Sequence, residues 1–66
     1  MMTAKFKSAE DAQKYDVGPD EYGEVVAVET RDGKPYFNVR FERVEVTGLH
    51  CDLFDSEEVP EPEELG

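Results

Sequence analysis

Between Tyr36 and Glu42 apolar and polar residues alternate without a break: Phe37, Val39 and Phe41 fall on one side, Tyr36, Asn38, Arg40 and Glu42 on the other. A period of two marks a β-strand with one covered face. Upstream lies a second β-rich run, Tyr22-Gly23-Glu24-Val25-Val26-Ala27-Val28, and between the two sits Asp32-Gly33. That dipeptide suits a type I′ hairpin turn, in which both central residues need positive φ. A two-residue loop there pairs Val28 with Phe37, Val26 with Val39 and Glu24 with Phe41. Register and alternation then agree, and the expected core face is Val26, Val28, Phe37, Val39 and Phe41. The opposite face carries Val25 and Ala27 against Arg40 and Asn38, with Tyr36 opposite Glu29. The unbroken run Val25 to Val28 predicts a strand partly covered on both sides, either by a short N-terminal helix or by another chain.

The remaining elements are shorter. Ser8 to Tyr15 reads as a helix of about two turns, with Ser8 as N-cap and Glu10 and Asp11 in the first turn, where the helix dipole favours acids. Val17-Gly18-Pro19-Asp20 ends it with turn residues. A third strand is expected over 44–49, with Gly48 marking a bend or bulge, and a fourth over 50–54. Asp55-Ser56-Glu57-Glu58 has the spacing of a capped helical turn, and Val59 adds a last pairing before Pro60. The organisation is thus an N-terminal extension over 1–21, a small mainly β domain over 22–60 and an acidic tail over 61–66.

With 66 residues the chain holds one modest core. One cysteine, Cys51, cannot close a disulfide within the chain, and a chain without a cysteine framework is expected in a reducing compartment, the cytoplasm by default. The N-terminus lacks the apolar stretch of a signal peptide, and no apolar run is long enough to span a membrane.

Charge changes the picture most. The net charge of −10 is uneven, and from Asp52 onward seven acids stand with no base. Such a chain is repelled by nucleic acid and by anionic membranes, and attracts a basic protein surface instead. Acids also mark the body at Asp16, Asp20, Glu21, Glu24, Glu29, Glu42 and Glu45, a self-repulsion that costs a small domain stability.

Candidate chemistry is sparse. Most carboxylates flank turns or strand exteriors and lack the apolar pocket that would raise a pKa for acid–base work. His50-Cys51-Asp52 gathers three potential ligands, yet on a strand alternation sends Cys51 away from His50 and Asp52, and no second His or Cys completes a tetrahedral site within the chain. The same alternation denies Cys51 a histidine base. No Gly-rich phosphate loop occurs. No cofactor, metal or catalytic group is therefore expected.

The run from Tyr22 to Val28, the Asp32-Gly33 turn, the run from Tyr36 to Phe41, and Leu53-Phe54 followed by Glu58-Val59-Pro60 together resemble small Src homology 3-like β-barrels. The resemblance covers residues 22–60 and implies an antiparallel barrel of about five strands, with the short helix before it. Such barrels serve many roles, so the resemblance selects no function. Charge and the lack of chemistry favour a non-enzymatic binding or regulatory protein that engages a basic site on a partner, an inhibitor mimicking nucleic-acid charge being one form. Tyr36, Arg40, Asp52, Asp55, Glu57 and Glu58 are the expected partner-binding residues. The alternative is a structural or adaptor module that acts as a homodimer or assembly subunit through Val25, Ala27 and Tyr36.

Overall fold

In the computed structural model, which describes residues 1–60, the Asp32-Gly33 turn forms with positive φ at both positions, 52° and 75°. It joins β2 (Gly23–Arg31) to β3 (Lys34–Arg40). Near the turn the register is the expected one, with Val28 opposite Phe37 and Glu29 opposite Tyr36. A bulge between Val25 and Ala27 then shifts it by one, so that Val25 faces Val39 and Glu24 faces Arg40. An extra residue on one strand flips the faces beyond it. Val25 consequently packs against the core, and Val26, expected inside, is 38% exposed.

Val28 is also corrected: it shares the face of Phe37 yet is 51% exposed. The cause is the reach of the neighbouring strand. β1 (Met2–Phe6) pairs with β2 only at Gly23 and Glu24, so the distal half of the hairpin projects beyond its neighbour on that side. β1 comes from the stretch that the sequence pattern set apart as an extension, and it lies inside the sheet. Its Ala4 and Phe6 point into the core.

After β3 come β4 (Glu45–His50), a 3-10 turn (Cys51–Leu53) and β5 (Phe54–Glu58). The expected fourth strand over 50–54 is therefore mostly the 3-10 turn. The expected helical turn over 55–58 is instead a strand, aligned with β1 from Phe6–Phe54 to Met2–Glu58. A ladder of that length satisfies more backbone groups than a single helical turn could. The amide of Val59 donates to the Met1 carbonyl at 2.7 Å and extends it. The tail over 61–66 lies outside the described residues.

Among the described residues the fold is mainly β, five antiparallel strands in the order β4-β3-β2-β1-β5 with one short helix, α1 (Ala9–Lys14). β4 and β5 are the two edges, and the sheet is open. Ser8 caps α1, its Oγ accepting from the amides of Glu10 and Asp11. Ala12 is buried in the core, and the Tyr15 ring stacks on Phe6 at 5.5 Å. The helix thus covers the Phe6 side of the sheet and leaves Ala27 on the other side exposed. Phe6, Phe41, Phe54 and Phe37 form an aromatic chain through the core, closed by Val39, Val46 and Val17. No helix among the described residues is long and apolar enough to cross a membrane.

One side chain ties the segment between α1 and β2 to the turn after Phe41. Glu21 Oε1 accepts from the Gly18 amide at 3.1 Å, and Oε2 accepts from the Glu42 amide at 3.0 Å. These bonds, the one from Glu42 first, hold the Glu21 carboxyl below its ordinary value of 4.5. A depressed carboxylate stabilises the fold at pH above the unfolded-state value, and that stabilisation is lost as pH falls through the folded-state value. Glu21→Gln keeps one acceptor oxygen of the two. It should melt below the parent at pH 7, with the gap narrowing at pH values under about 4, as paired thermal melts would read.

Candidate functional site

The face of the sheet opposite the core collects the polar residues. The registers align one row across all five strands: Glu57 on β5, Thr3 on β1, Glu24 on β2, Arg40 on β3 and Glu45 on β4. Three carboxylates and a single cation share it, and Arg40 Nη2 lies 3.6 Å from Glu24 Oε1. Beside this row Lys5 sits opposite Asp55, but its ammonium turns to Asp20 at 4.0 Å and lies 5.5 Å from the Tyr22 ring centre.

A second row runs Glu29, Tyr36, His50. Arg31 lies over the Tyr36 ring at 5.4 Å and bonds Glu29 Oε2 at 3.1 Å. His50 meets the other part of that ring edge-on, 5.2 Å between centroids. Tyr36 is thereby held half-buried between a cation and an imidazole.

The six expected partner-binding residues are divided among four places. Tyr36 and Asp52 share a corner through His50, and Arg40 occupies the middle of the face. Asp55 and Glu57 lie on the same face along the edge strand, where charge also deters pairing with another sheet. Glu58 follows the alternation of Phe54 and Ser56 to the other side, where it bonds the Met1 ammonium at 3.1 Å. Val25 is absent from the face proposed for a homodimer, because the bulge turned it inward.

The cations are largely consumed. Lys5, Lys14, Arg31, Arg40 and Arg43 all form ion pairs. Glu10, Asp32, Glu42, Glu45, Asp55 and Glu57 have no ion-pair partner among the described residues. The excess negative charge is therefore presented outward, with its densest part on the β5 edge. Exposed pairs of this kind contribute little to stability, so neutralisation leaves the fold nearly indifferent and the surface field weaker by the same charges.

At the end of β4 the structure corrects the separation expected for His50, Cys51 and Asp52. His50 caps the 3-10 turn with its ring: Nδ1 accepts from the Asp52 amide at 3.0 Å. An amide can only donate, so in neutral His50 the ring proton is on Nε2. The strand ends at His50 and the 3-10 turn begins at Cys51, so the alternation that would send Cys51 to the opposite face is broken there. Cys51 Sγ lies 4.0 Å from His50 Nδ1 and 3.9 Å from Asp52 Oδ1, and Nδ1 lies 3.6 Å from Asp52 Oδ2. The signal was the His-x-Asp spacing, in which a side-chain acceptor reaches the amide two residues on, as capping residues do.

Among the described residues no pocket forms on the molecule. Compared with known proteins, the chain matches no family model, and neither a curated protein nor a solved structure is significantly similar to it.

Proposed function

We propose that this chain is a non-enzymatic binding or regulatory protein whose acidic face engages a basic site on a partner protein, in the form of an inhibitor that occupies a nucleic-acid-binding surface. The observation that carries it is the row Glu57–Thr3–Glu24–Arg40–Glu45, continued along β5 by Asp55. Its carboxylates outnumber its one cation on a face otherwise free of enclosed chemistry. Opposed charge steers encounter and makes it sensitive to salt. The antiparallel meander with a 3-10 turn before its last strand supports an open Src homology 3-like barrel as the scaffold. That scaffold class fixes no function, so the reading rests on charge.

Affinity capture on the immobilised chain, eluted by a salt gradient, tests it. Basic partners should elute at moderate salt and be displaced by duplex DNA. The double substitution Asp55→Lys with Glu57→Lys should weaken capture about tenfold or more, since it deletes two exposed attractions and adds two repulsions of up to about 1 kcal/mol each. Capture unaffected by salt and by those substitutions, or direct binding of DNA by the chain, overturns the reading.

A further inference from the structure

The 3-10 turn brings three chemically different donors to one point. We propose that His50 Nδ1, Cys51 Sγ and the Asp52 carboxylate form a three-donor site for zinc, with the fourth position open to solvent or to an external ligand. This site does not depend on the acidic face discussed above.

Geometry supplies the first support. In a tetrahedral zinc site the bonds are about 2.0 Å to nitrogen and oxygen and about 2.3 Å to sulfur, which sets neighbouring donors about 3.3–3.6 Å apart. The contacts here are 3.6 Å from Nδ1 to Asp52 Oδ2, 3.9 Å from Sγ to Asp52 Oδ1 and 4.0 Å from Sγ to Nδ1, so each oxygen of the carboxylate faces one of the other two donors. All three donor atoms lie within 4.8 Å of one another. Rotation of the Asp52 carboxylate to present one oxygen to both partners, with a contraction of up to about an ångström through the side-chain torsions, closes the set.

Donor chemistry supplies the second. A mixed nitrogen, sulfur and oxygen set suits a borderline ion such as zinc, whereas calcium and magnesium take oxygen ligands in larger number. The three donor groups stand together here, and no lysine or arginine ion-pairs with Asp52 among the described residues. On binding, the Cys51 thiol releases its proton to solvent as the sulfur–zinc bond forms, and the Asp52 amide gives up its bond to Nδ1. Tyr36 holds the imidazole edge-on at 5.2 Å, and the turn keeps the other two side chains beside it. His50 and Cys51 are half-buried and Asp52 is exposed, so an ion can enter from solvent.

The test uses the full chain, reduced, with zinc by calorimetry and cobalt(II) by absorption. One zinc equivalent is expected, together with a sulfur-to-cobalt charge-transfer band in the near ultraviolet. Excess calcium should not displace either ion. His50→Asn keeps an acceptor for the Asp52 amide, and Asp52→Asn removes only the charge, so both should retain the circular dichroism of the parent. Even partners outside the ligand set cost metal sites roughly 10–100-fold, so each of these variants should lose at least about tenfold in zinc affinity. Cys51→Ser should abolish the charge-transfer band, and where that variant unfolds the two surface variants decide alone. Absence of zinc binding at micromolar concentration, an unchanged affinity in folded His50→Asn, or displacement by calcium overturns the proposal.

Discussion

Phe6→Ala should leave a large part of the chain unfolded at 25 °C. The ring is 2% exposed and stands at the centre of the aromatic chain, with centroids 4.6 Å from Phe54, 5.5 Å from Tyr15 and 5.7 Å from Phe41. Truncating a buried phenylalanine costs about 3–5 kcal/mol, through lost transfer energy and the cavity left behind. A single core of this size rarely supplies more than about 3–5 kcal/mol in total. Loss of Phe6 also uncouples three elements at once, since its ring touches the helix end, the β3–β4 connection and β5. Val28→Ala is the matched control: that side chain is 51% exposed, and its loss should shift stability by no more than about 0.5 kcal/mol. Urea titrations of both variants read the difference directly. A comparable loss in both would mean that the hairpin tip is covered and that the core is centred elsewhere.

That pair of residues also shows what was legible in the chain and what was not. The helix cap and the hairpin turn depend on neighbours in sequence, Ser8 with Glu10 and Asp11, Asp32 with Gly33, and both form as their chemistry dictates. The alternation of Phe37, Val39 and Phe41 likewise survives intact, all three buried. Val26 is turned outward by the bulge and Val28 lies beyond the point where β1 stops, features of strand pairing that no local period carries. β1 itself was readable: Met2, Ala4 and Phe6 alternate with Thr3, Lys5 and Lys7. Its shortness and terminal position hide the signal, and the capping-box spacing of Asp55 and Glu58 points to a helical turn where pairing with β1 makes a strand. For the site, composition located Tyr36, Arg40 and the acids. It could not show that Arg40 is flanked by Glu24 and Glu45, since that depends on the bulge. The convergence of His50, Cys51 and Asp52 is hidden for the same kind of reason, because a strand's period of two is applied to 50–54, where the chain forms a 3-10 turn from Cys51 to Leu53.

Gly23→Ala is the smallest substitution with a comparably large effect. A Cβ at Gly23 would stand 2.7 Å from Val39 Cγ1, 2.8 Å from the Arg40 carbonyl oxygen and 2.8 Å from Phe41 Cδ1. The position is buried where β2 runs between β1 and β3, opposite Ala4. A flexible side chain could yield, but the Arg40 oxygen is backbone at the end of the β3 ladder, so relief requires β2 and β3 to separate. Overpacking of a close-packed interior costs typically about 1–3 kcal/mol and sometimes more, and a backbone contact places this substitution at the upper end. Gly33→Ala is the contrast: with φ of +75° and nothing within 4 Å, it meets only left-handed backbone strain, about 1–2 kcal/mol. A double-mutant cycle identifies the contact. Val39→Ala removes Cγ1 and costs stability alone, yet combined with Gly23→Ala it should cost less than the two single losses together, by more than about 0.5 kcal/mol. Strict additivity would place the clash on the Arg40 oxygen and Phe41 and not on Val39, and a Gly23→Ala variant as stable as the parent would show that β2 and β3 stand farther apart than 2.7–2.8 Å contacts allow.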